Sequence, residues 1–315
     1  MAKRKIVIGT RGSKLALWQA NFVAGEIRSE HSDVLVMIKV IQTTGDRMQN
    51  VPLSQIGGKG LFTKEIEEEM LAGEVDLAIH SLKDVPTRLP EGLELAVIMK
   101  RAHPGDAFIS NSVKTLDELP PGARIGTSSL RRGAQIRHYR PDLEILPMRG
   151  NVDTRLAKLD AGAYDGIVLA VSGLQRLGWE SRIDQILPYE ICLPAAGQGA
   201  LALEIRSSDE RIGEIIGFLE DIPTRYSVEA ERSFLGHLEG NCQVPFGVYG
   251  EIEAGKLHLE AAILTPDGRT CLREKVSGSP EDGKELGRGL AERLANQGGK
   301  AILAKLQGKA REVEW

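Results

Sequence analysis

The sequence carries one pattern twice, and this repeat constrains the fold more than any other feature. A short strand pattern leads through Gly-Thr into a helical pattern at residues 8–13, and the same order recurs at 125–129. Each half later carries Ala-Gly-x-x-Asp followed by an apolar run, at 72–79 and 161–168. Strands that alternate with helices predict β-α-β units and a mostly parallel sheet. The sequence therefore predicts two lobes of similar α/β topology.

Two Pro/Gly-rich breaks, 100–105 and 187–199, separate the lobes, and we expect a cleft between them. The apolar run 200–205 that follows the second break is a strand candidate that we expect to rejoin the first sheet. We predict three domains: 1–100 with 196–219, 104–192, and 222–315.

The last segment has a different pattern. Apolar residues recur every four positions from Tyr226 to Leu238, which predicts an amphipathic helix that ends at Gly240. Turn sequences then separate three predicted strands, and a further helix is expected from Pro280 to about Ala295. This pattern predicts a small α+β domain with a three-stranded antiparallel sheet. Its strands are predicted at 244–252, 257–264 and 269–276.

Composition excludes several classes of protein. The 315 residues include 40 Lys plus Arg and 44 Asp plus Glu, a net charge of −4 that does not suit a nucleic-acid-coating protein. The three cysteines include no C-x-x-C pair, so neither a disulfide framework nor a structural zinc site is predicted, and we expect no metal ion. No apolar stretch reaches 18 residues and the apolar start is too short for a signal peptide, so we expect a cytoplasmic protein without a membrane partner.

Both Gly-Thr turns are predicted anion-binding sites, because each lies where a strand leads into a helix. A helix N-terminus offers free backbone N–H groups and a partial positive charge to a carboxylate or a phosphate. Ser13 and Ser129 either cap these helices or donate to the ligand, and Thr127 lies in the second turn. One such turn in each lobe favours a shared anionic ligand.

Residues 124–155 contain seven arginines, no lysine and three acidic residues, and so carry a local net charge of +4. Arginine binds carboxylates and phosphates through two parallel hydrogen bonds. Arg131 and Arg132 follow the second turn and are interpreted as ligand contacts, whereas Arg137 and Arg140 are interpreted as part of a solvated helix face with local salt bridges. RNA is the rival ligand, but no aromatic residue lies between the two arginines to supply a stacking surface.

The stretch from His80 to Pro86 follows the end of a predicted strand, where open α/β sheets bind their ligands. Lys83 and Asp84 lie there side by side. Such neighbours form either a surface ion pair of little energetic value or an acid/base with an electrostatic anchor. Their spacing favours neither interpretation.

The remaining motifs are less specific. Residues 57–60 lack the spacing of a phosphate-binding P-loop, and 197–202 fit a dinucleotide fingerprint but follow no strand. The segment 45–60 is interpreted as a mobile loop, a candidate lid. Cys242 lies in a predicted turn that can present a thiol outward as a nucleophile or an attachment point, whereas the other two cysteines are interpreted as buried apolar residues.

Together these motifs resemble the porphobilinogen deaminase family. That family joins four porphobilinogen units head to tail, releases ammonia, and frees linear hydroxymethylbilane for tetrapyrrole (haem) biosynthesis. The resemblance implies a monomer whose first two domains are similar to the lobes of type II periplasmic binding proteins. The matching stretches span nearly the whole chain in order: IGTRGSKLALWQ (8–19), GGKGLFTKEIE (57–67), DLAIHSLKDVPT (76–87), IGTSSLRRGAQI (125–136), RGNVDTRL (149–156), PAAGQGALALE (194–204) and AERSFL…GNCQVPFG (230–247).

The resemblance also implies the cofactor and the site residues. The product chain is primed on a dipyrromethane cofactor held by a thioether to the loop cysteine, and Asp84 is the implied catalytic acid/base. The family usually has glycine before that cysteine, where this chain has Asn241, so the departure concerns the local geometry of the loop. The implied cofactor-binding residues are Cys242, Lys83, Ser129, Arg131, Arg132 and Arg155. The implied substrate-binding residues are Arg11, Ser13, Thr127, Arg149 and Arg176.

The competing class is a non-catalytic two-lobed anion-binding module, such as the sensor half of a regulator. It fits the two-lobe pattern but leaves Lys83, Asp84 and the Cys242 loop without a role. An NAD-dependent enzyme is a third class and rests only on the glycine match at 197–202.

Overall fold

A computed structural model describes most of the chain in two compact units, which we call the first unit and the second unit. The residues described are 4–47, 60–238 and 245–304. The first unit comprises 1–102 with 199–225, and the second comprises 103–198 with 226–315.

Thirteen strands and nine helices lie in the part of the chain that the structure describes. The strands are β1 (Arg4–Thr10), β2 (Val34–Val40), β3 (Leu77–Ser81), β4 (Leu93–Ile98), β5 (Asp106–Ile109), β6 (Arg124–Gly126), β7 (Glu144–Leu146), β8 (Gly166–Ala170), β9 (Gln185–Ile186), β10 (Leu201–Arg206), β11 (Phe246–Glu253), β12 (Lys256–Leu264) and β13 (Cys271–Gly278). The helices are α1 (Lys14–Glu30), α2 (Thr44–Arg47), α3 (Lys64–Leu71), α4 (Leu130–Tyr139), α5 (Val152–Asp160), α6 (Val171–Arg176), α7 (Glu210–Ile216), α8 (Ile222–Leu238) and α9 (Gly283–Leu294).

The first unit contains a five-stranded sheet with the order β2-β1-β3-β10-β4. β1 pairs in parallel with β2 and β3, whereas β10 runs antiparallel to β3 and β4. Ile6 and Ile8 of β1 are completely buried and pack in the core with Ile27 of α1 and Leu203 of β10. The prediction that 200–205 rejoins the first sheet is confirmed.

The second unit contains a sheet with the corresponding order, β7-β6-β8-β5-β9. β6 pairs in parallel with β7 and β8, and β5 runs antiparallel to β8 and β9. In each sheet four strands therefore run in one direction and the fifth runs against them. The fifth strand is β10 in the first unit and β5 in the second, and each is the first strand after the chain passes from one unit into the other. The prediction of two mostly parallel sheets of similar topology is confirmed.

The Ala-Gly-x-x-Asp repeat performs the same task in both units. In each, the glycine adopts a left-handed backbone, with φ of +77° and +75°. The aspartate that follows accepts a hydrogen bond from a backbone N–H of the first strand, Asp76 from Val7 at 2.9 Å and Asp165 from Arg124 at 2.7 Å. The repeat thus ties β3 to β1 in the first unit and β8 to β6 in the second.

A three-stranded antiparallel sheet, β11-β12-β13, belongs to the second unit, as predicted for the last segment. Phe234 of α8 and Leu290 of α9 are completely buried in its core. The prediction placed the start of the preceding helix too late, because α8 already begins at Ile222. Asp221 Oδ1 accepts a hydrogen bond from the Thr224 N–H at 2.9 Å, which satisfies the first turn.

Candidate active site

In the first unit, predicted site residues lie where β3 ends and α1 begins. A short 3₁₀ turn, Leu82–Asp84, follows β3, and both Lys83 and Asp84 are exposed there. Asp84 lines an open pocket together with Arg11 and Ser13. The strand order explains this meeting, because β1 and β3 are parallel neighbours whose carboxyl ends lie at one edge of the sheet.

Side chains of α1 fix this edge of the sheet. Ser13 is the N-cap of α1, and its Oγ accepts from the Ala16 N–H at 3.3 Å. Gln19, one turn and a half further along, donates from Nε2 to Ser81 Oγ at 2.8 Å. Ser13 therefore has the capping role that the sequence left open, and Gln19 ties the helix to the end of β3.

Arg11 is held in the pocket wall by two neighbours. Its Nη2 donates to Asp46 Oδ1 at 2.5 Å, and its guanidinium carbon lies 4.1 Å from the centroid of the Phe62 ring. Burial tends to raise the pKa of Asp46, but hydrogen bonds from Arg11 and Thr43 outweigh burial and lower that pKa below its usual value. The charged carboxylate and the aromatic face therefore orient Arg11.

His80 and Glu204 form a buried pair at the same pocket. His80 lines the pocket, and its Nε2 lies 2.8 Å from Oε2 of Glu204 on β10. Glu204 is completely buried, and its Oε1 has no hydrogen-bond partner in the described part of the chain. Burial, and in addition the charge of Glu204, raise the pKa of Glu67 on α3. The Glu204 carboxyl group therefore lies directly behind His80 at this wall.

In the second unit, the Gly-Thr turn leads into α4 as predicted. Ser129 is the N-cap of α4, and its Oγ accepts from the Arg132 N–H at 3.3 Å. Thr127 is buried; its Oγ1 accepts from the Ser129 N–H at 3.1 Å, and its own N–H donates to Leu146 O at 2.9 Å. Both serines thus cap the helices that the sequence predicted.

Arg131 and Arg132 are buried and share one buried carboxylate, Asp106 at the start of β5. Arg131 Nη1 lies 2.5 Å from Oδ2, and Arg132 donates to Oδ1 from Nε at 2.9 Å and from Nη2 at 2.7 Å. Burial tends to raise the pKa of Asp106, but the charges of the two arginines hold that pKa far below its usual value. Burial, with the charge of Asp106, raises the pKa of the neighbouring Cys192 thiol to about 12, so this cysteine is a neutral thiol.

The other predicted arginines of the second unit lie on or beside α5 and α6. Arg155 Nε donates to Gly150 O at 2.7 Å, which closes the turn before α5. Arg176, the last residue of α6, is buried, and burial lowers its pKa to about 10. The backbone carbonyl of Arg149 accepts from Lys158 Nζ at 3.0 Å. At neutral pH the buried Arg176 keeps its charge, and an anionic ligand beside it would stabilise that charge.

Two family profiles match the chain. One is described as "Porphobilinogen deaminase, dipyromethane cofactor binding domain" and matches residues 6–214. The other is described as "Porphobilinogen deaminase, C-terminal domain" and matches residues 225–296. The chain belongs to the porphobilinogen deaminase family.

Full-length relatives agree with this assignment. The chain is 49% identical to the porphobilinogen deaminase of Desulforudis audaxviator over 308 residues, which cover 98% of this chain and 100% of the relative. It is 48% identical to that of Desulforamulus reducens over 97% of this chain and 99% of the relative. Porphobilinogen deaminase membership makes the chain an enzyme, a transferase of tetrapyrrole synthesis with a dipyrromethane cofactor. The non-catalytic binding module is not supported.

Solved structures of binding proteins align at a lower level. The methionine-binding protein MetQ aligns at a TM-score of 0.44 and 11% identity, over 68% of this chain and 87% of that protein. A periplasmic substrate-binding protein from Coxiella burnetii aligns at 0.43 and 16% identity, over 72% of this chain and 96% of that protein. The fold class follows from the strand orders: two mixed five-stranded α/β sheets and an antiparallel three-stranded one.

Cys242, which the porphobilinogen deaminase resemblance implies as the attachment point, lies outside the described residues, as does Asn241. Most of the predicted loop 45–60 also lies outside them, at 48–59. Its first residues are helical in α2, where the Thr44 N–H donates to Glu65 Oε1 at 2.7 Å.

Two arginines that the sequence assigned to a solvated face behave differently from each other. Arg140 Nη2 forms an ion pair with Asp142 at 2.6 Å, as expected for a local salt bridge. Arg137 Nη1 instead donates to Pro266 O at 3.1 Å, in the turn between β12 and β13. The solvated-face interpretation is wrong for Arg137, because sequence spacing did not show that this turn packs on α4.

Several residues of this porphobilinogen deaminase site were not found from the sequence. They are side chains that hold a predicted site residue in place. Asp106 directly precedes the apolar run 107–109, and a charge next to a buried strand indicates a buried cation nearby. The remaining ones carried no comparable signal: Gln19, Asp46, Phe62 and Gln198.

The described residues contain no group of three or more His, Cys, Asp or Glu side chains arranged to hold a metal ion. No helix among them is long and apolar enough to cross a membrane.

Proposed function

We propose that this enzyme joins four porphobilinogen units head to tail to give hydroxymethylbilane, with Asp84 as its acid/base. The observation that carries the proposal is the exposed Asp84 carboxylate in a pocket that Arg11 and Ser13 also line. The two neighbours suit the carboxylates of porphobilinogen, and Asp84 suits its aminomethyl group. Asp84, in its protonated form, donates its proton to the aminomethyl nitrogen while the carbon–nitrogen bond breaks and ammonia leaves, and it becomes a carboxylate.

The same carboxylate then stabilises the cationic methylene pyrrole that remains, and it accepts the ring proton released when the new carbon–carbon bond forms. Asp84 thus returns to its starting state in each cycle, and one residue serves four successive couplings.

We assign the dipyrromethane cofactor to Cys242, Lys83, Ser129, Arg131, Arg132 and Arg155, with a thioether to Cys242. When bound, the cofactor supplies the pyrrole carbon to which the first porphobilinogen is joined. The donors fit it chemically, since its acetate and propionate groups are carboxylates. Ser129 begins a ten-residue helix, and Arg131 and Arg132 keep their charges beside it.

The remaining predicted residues bind the carboxylates of the substrate and of the growing chain. Each porphobilinogen adds two carboxylates, so the product accumulates negative charge that cationic side chains must balance. Arg11 is oriented by Asp46 and Phe62, and Arg176 is a buried cation. The assigned residues are Arg11, Ser13, Thr127, Arg149 and Arg176.

The test is the intact mass of protein produced with porphobilinogen available, for the wild type, Cys242→Ser and the matched control Cys271→Ser. We expect an added mass of two pyrrole units in the wild type and in the control, and none in Cys242→Ser. Colour with Ehrlich's reagent should follow the added mass. A bare mass in the wild type contradicts the thioether attachment of the cofactor to Cys242.

We further propose that the protein is a cytoplasmic monomer without a nucleic-acid or membrane partner. We also propose three domains: the first comprises 1–100 together with 196–219, the second 104–192, and the third 222–315. Light scattering coupled to size exclusion should give the mass of one chain, and a stable dimer would contradict this. Limited proteolysis should cut first near the proposed boundaries.

A further inference from the structure

The second unit contains a buried network of hydrogen bonds around Asp106. The network includes Pro104, which lies before β5, and Leu193 and Gln198, which lie after β9. Gln198 donates from Nε2 to Asp106 Oδ1 at 3.0 Å and to Pro104 O at 2.6 Å. Arg131 Nη2 donates back to Gln198 Oε1 at 3.4 Å, and Arg131 Nη1 donates to Leu193 O at 2.6 Å. Asp106 therefore binds both arginines and also Gln198, which in turn accepts a hydrogen bond from Arg131.

The charges of this network leave one positive charge in excess. Asp106 carries one negative charge between Arg131 and Arg132, and Asp106 is completely buried. Two guanidinium groups without this carboxylate would repel each other in a setting that screens charge poorly. With it, the pair keeps a net charge of +1, which still attracts an anionic ligand.

The geometry fixes orientation as well as charge. Arg132 directs Nε and Nη2 at one carboxylate oxygen and Nη1 at Val168 O, at 3.0 Å, so its guanidinium plane is set by two elements. A guanidinium forms two parallel hydrogen bonds to a carboxylate only when its N–H edge faces the ligand. A side chain fixed before binding loses less conformational entropy when the ligand arrives.

We propose that Asp106 is a positioning residue, which orients Arg131 and Arg132 for the carboxylates of the dipyrromethane cofactor without touching the cofactor itself. This inference rests on the proposed function, in which both arginines bind that cofactor. It predicts that Asp106 controls cofactor loading through the arginines.

The experiment measures the fraction of purified chain that carries the two-pyrrole mass, together with the thermal midpoint Tm and the kcat and KM of the loaded protein. Asp106→Asn keeps the size of the side chain and removes its charge. We expect a fall in loading of about tenfold, and a raised KM for the loaded fraction. Asp165→Asn, which breaks the Arg124 ion pair in the same unit, is the matched control and should lower Tm without changing loading.

A double-mutant cycle separates positioning from a purely structural role. If Asp106 acts through Arg132, Asp106→Asn combined with Arg132→Lys should reduce loading little more than the stronger single variant does. Multiplying effects would overturn the inference, as would a lower Tm with normal loading and normal KM.

Other variants distinguish failure of the positioning inference from failure of the proposed cofactor contact. If Asp106→Asn does not fold, Gln198→Leu tests the inference instead. This variant leaves all three charges but removes the hydrogen bonds that Gln198 makes to Asp106 and Arg131. Reduced cofactor loading in Gln198→Leu supports the inference, and normal loading overturns it. If Arg131→Lys and Arg132→Lys load and turn over normally, the proposed cofactor contact fails. If only Asp106→Asn and Gln198→Leu are normal, the positioning inference alone fails.

Discussion

Replacing Glu231 with glutamine should destabilise the second unit more than a surface substitution on the same helix. Glu231 lies on α8 and is completely buried. Its Oε2 accepts from the Gly197 N–H at 2.6 Å and its Oε1 from the Gly250 N–H at 2.8 Å. One carboxylate thus joins α8 both to the segment before β10 and to β11.

The magnitude follows from these two bonds. An amide has only one carbonyl oxygen, so Glu231→Gln keeps one bond in weaker form and turns its NH₂ group towards the other backbone N–H. A hydrogen bond to a charged group contributes about 1.5–3 kcal/mol, and a buried N–H left without a partner costs about 1–3 kcal/mol. We expect a loss of about 2–5 kcal/mol in the free energy of unfolding, which is roughly 4–20 °C in Tm for a unit of this size.

The assay is differential scanning calorimetry with Glu229→Gln as the matched control. Glu229 lies two residues earlier on α8 and pairs with the exposed Lys284 at 3.1 Å, an interaction expected to contribute less than about 1 kcal/mol. A Tm of Glu231→Gln equal to that of Glu229→Gln would refute the argument that the buried carboxylate holds these segments together.

Three other substitutions test separate parts of the molecule. Asp84→Asn should lower turnover about 10²-fold or more while the intact mass still shows the cofactor, and near-normal turnover would contradict the acid/base role. Gly287→Ala should cost about 1–3 kcal/mol by denaturant unfolding, because a Cβ there would lie 2.1 Å from the carbonyl oxygen of Ala230, and an unchanged midpoint would refute this packing. Glu67→Gln should raise Tm at pH 7 but not at pH 4. The pKa of Glu67 in the folded protein is raised above its usual 4.5, so the free energy of unfolding falls as the pH rises from 4.5 through that raised pKa. Equal gains in Tm at both pH values would contradict this.

The sequence predicted those parts of the fold that depend on local patterns. Gly-Thr turns capped by Ser13 and Ser129 were identifiable because a cap and its helix are adjacent in sequence. The aspartate of the Ala-Gly-x-x-Asp repeat was identifiable because its position recurs in both halves. The exact start of α8 was not, because the apolar spacing that predicted the helix begins only at Tyr226, although Pro223 in the first turn is typical of a helix start.

The site residues divide in the same way. Arginines and Asp84 stood out by type and position, but their partners are distant in sequence. Asp106 is 25 residues from Arg131, and Glu204 is 124 residues from His80. No periodicity within a helix or a strand can reveal such pairs, because they depend on which strands become neighbours.

Two of the buried acids that the sequence did not place lie on corresponding strands. Glu204 is on β10 and Asp106 on β5, and each of these strands runs antiparallel to the rest of its sheet. Both acids are completely buried beside apolar neighbours. Glu204 faces His80 near the end of β3, and Asp106 faces Arg132 on α4, the helix that follows the second Gly-Thr turn. An unpaired charge in such a strand would cost several kcal/mol, so the carboxylate needs N–H donors or a basic partner. In both of these strands the partner is a basic side chain, His80 for Glu204 and Arg132 for Asp106, and each partner lies at an edge of the sheet where the sequence predicts ligand binding.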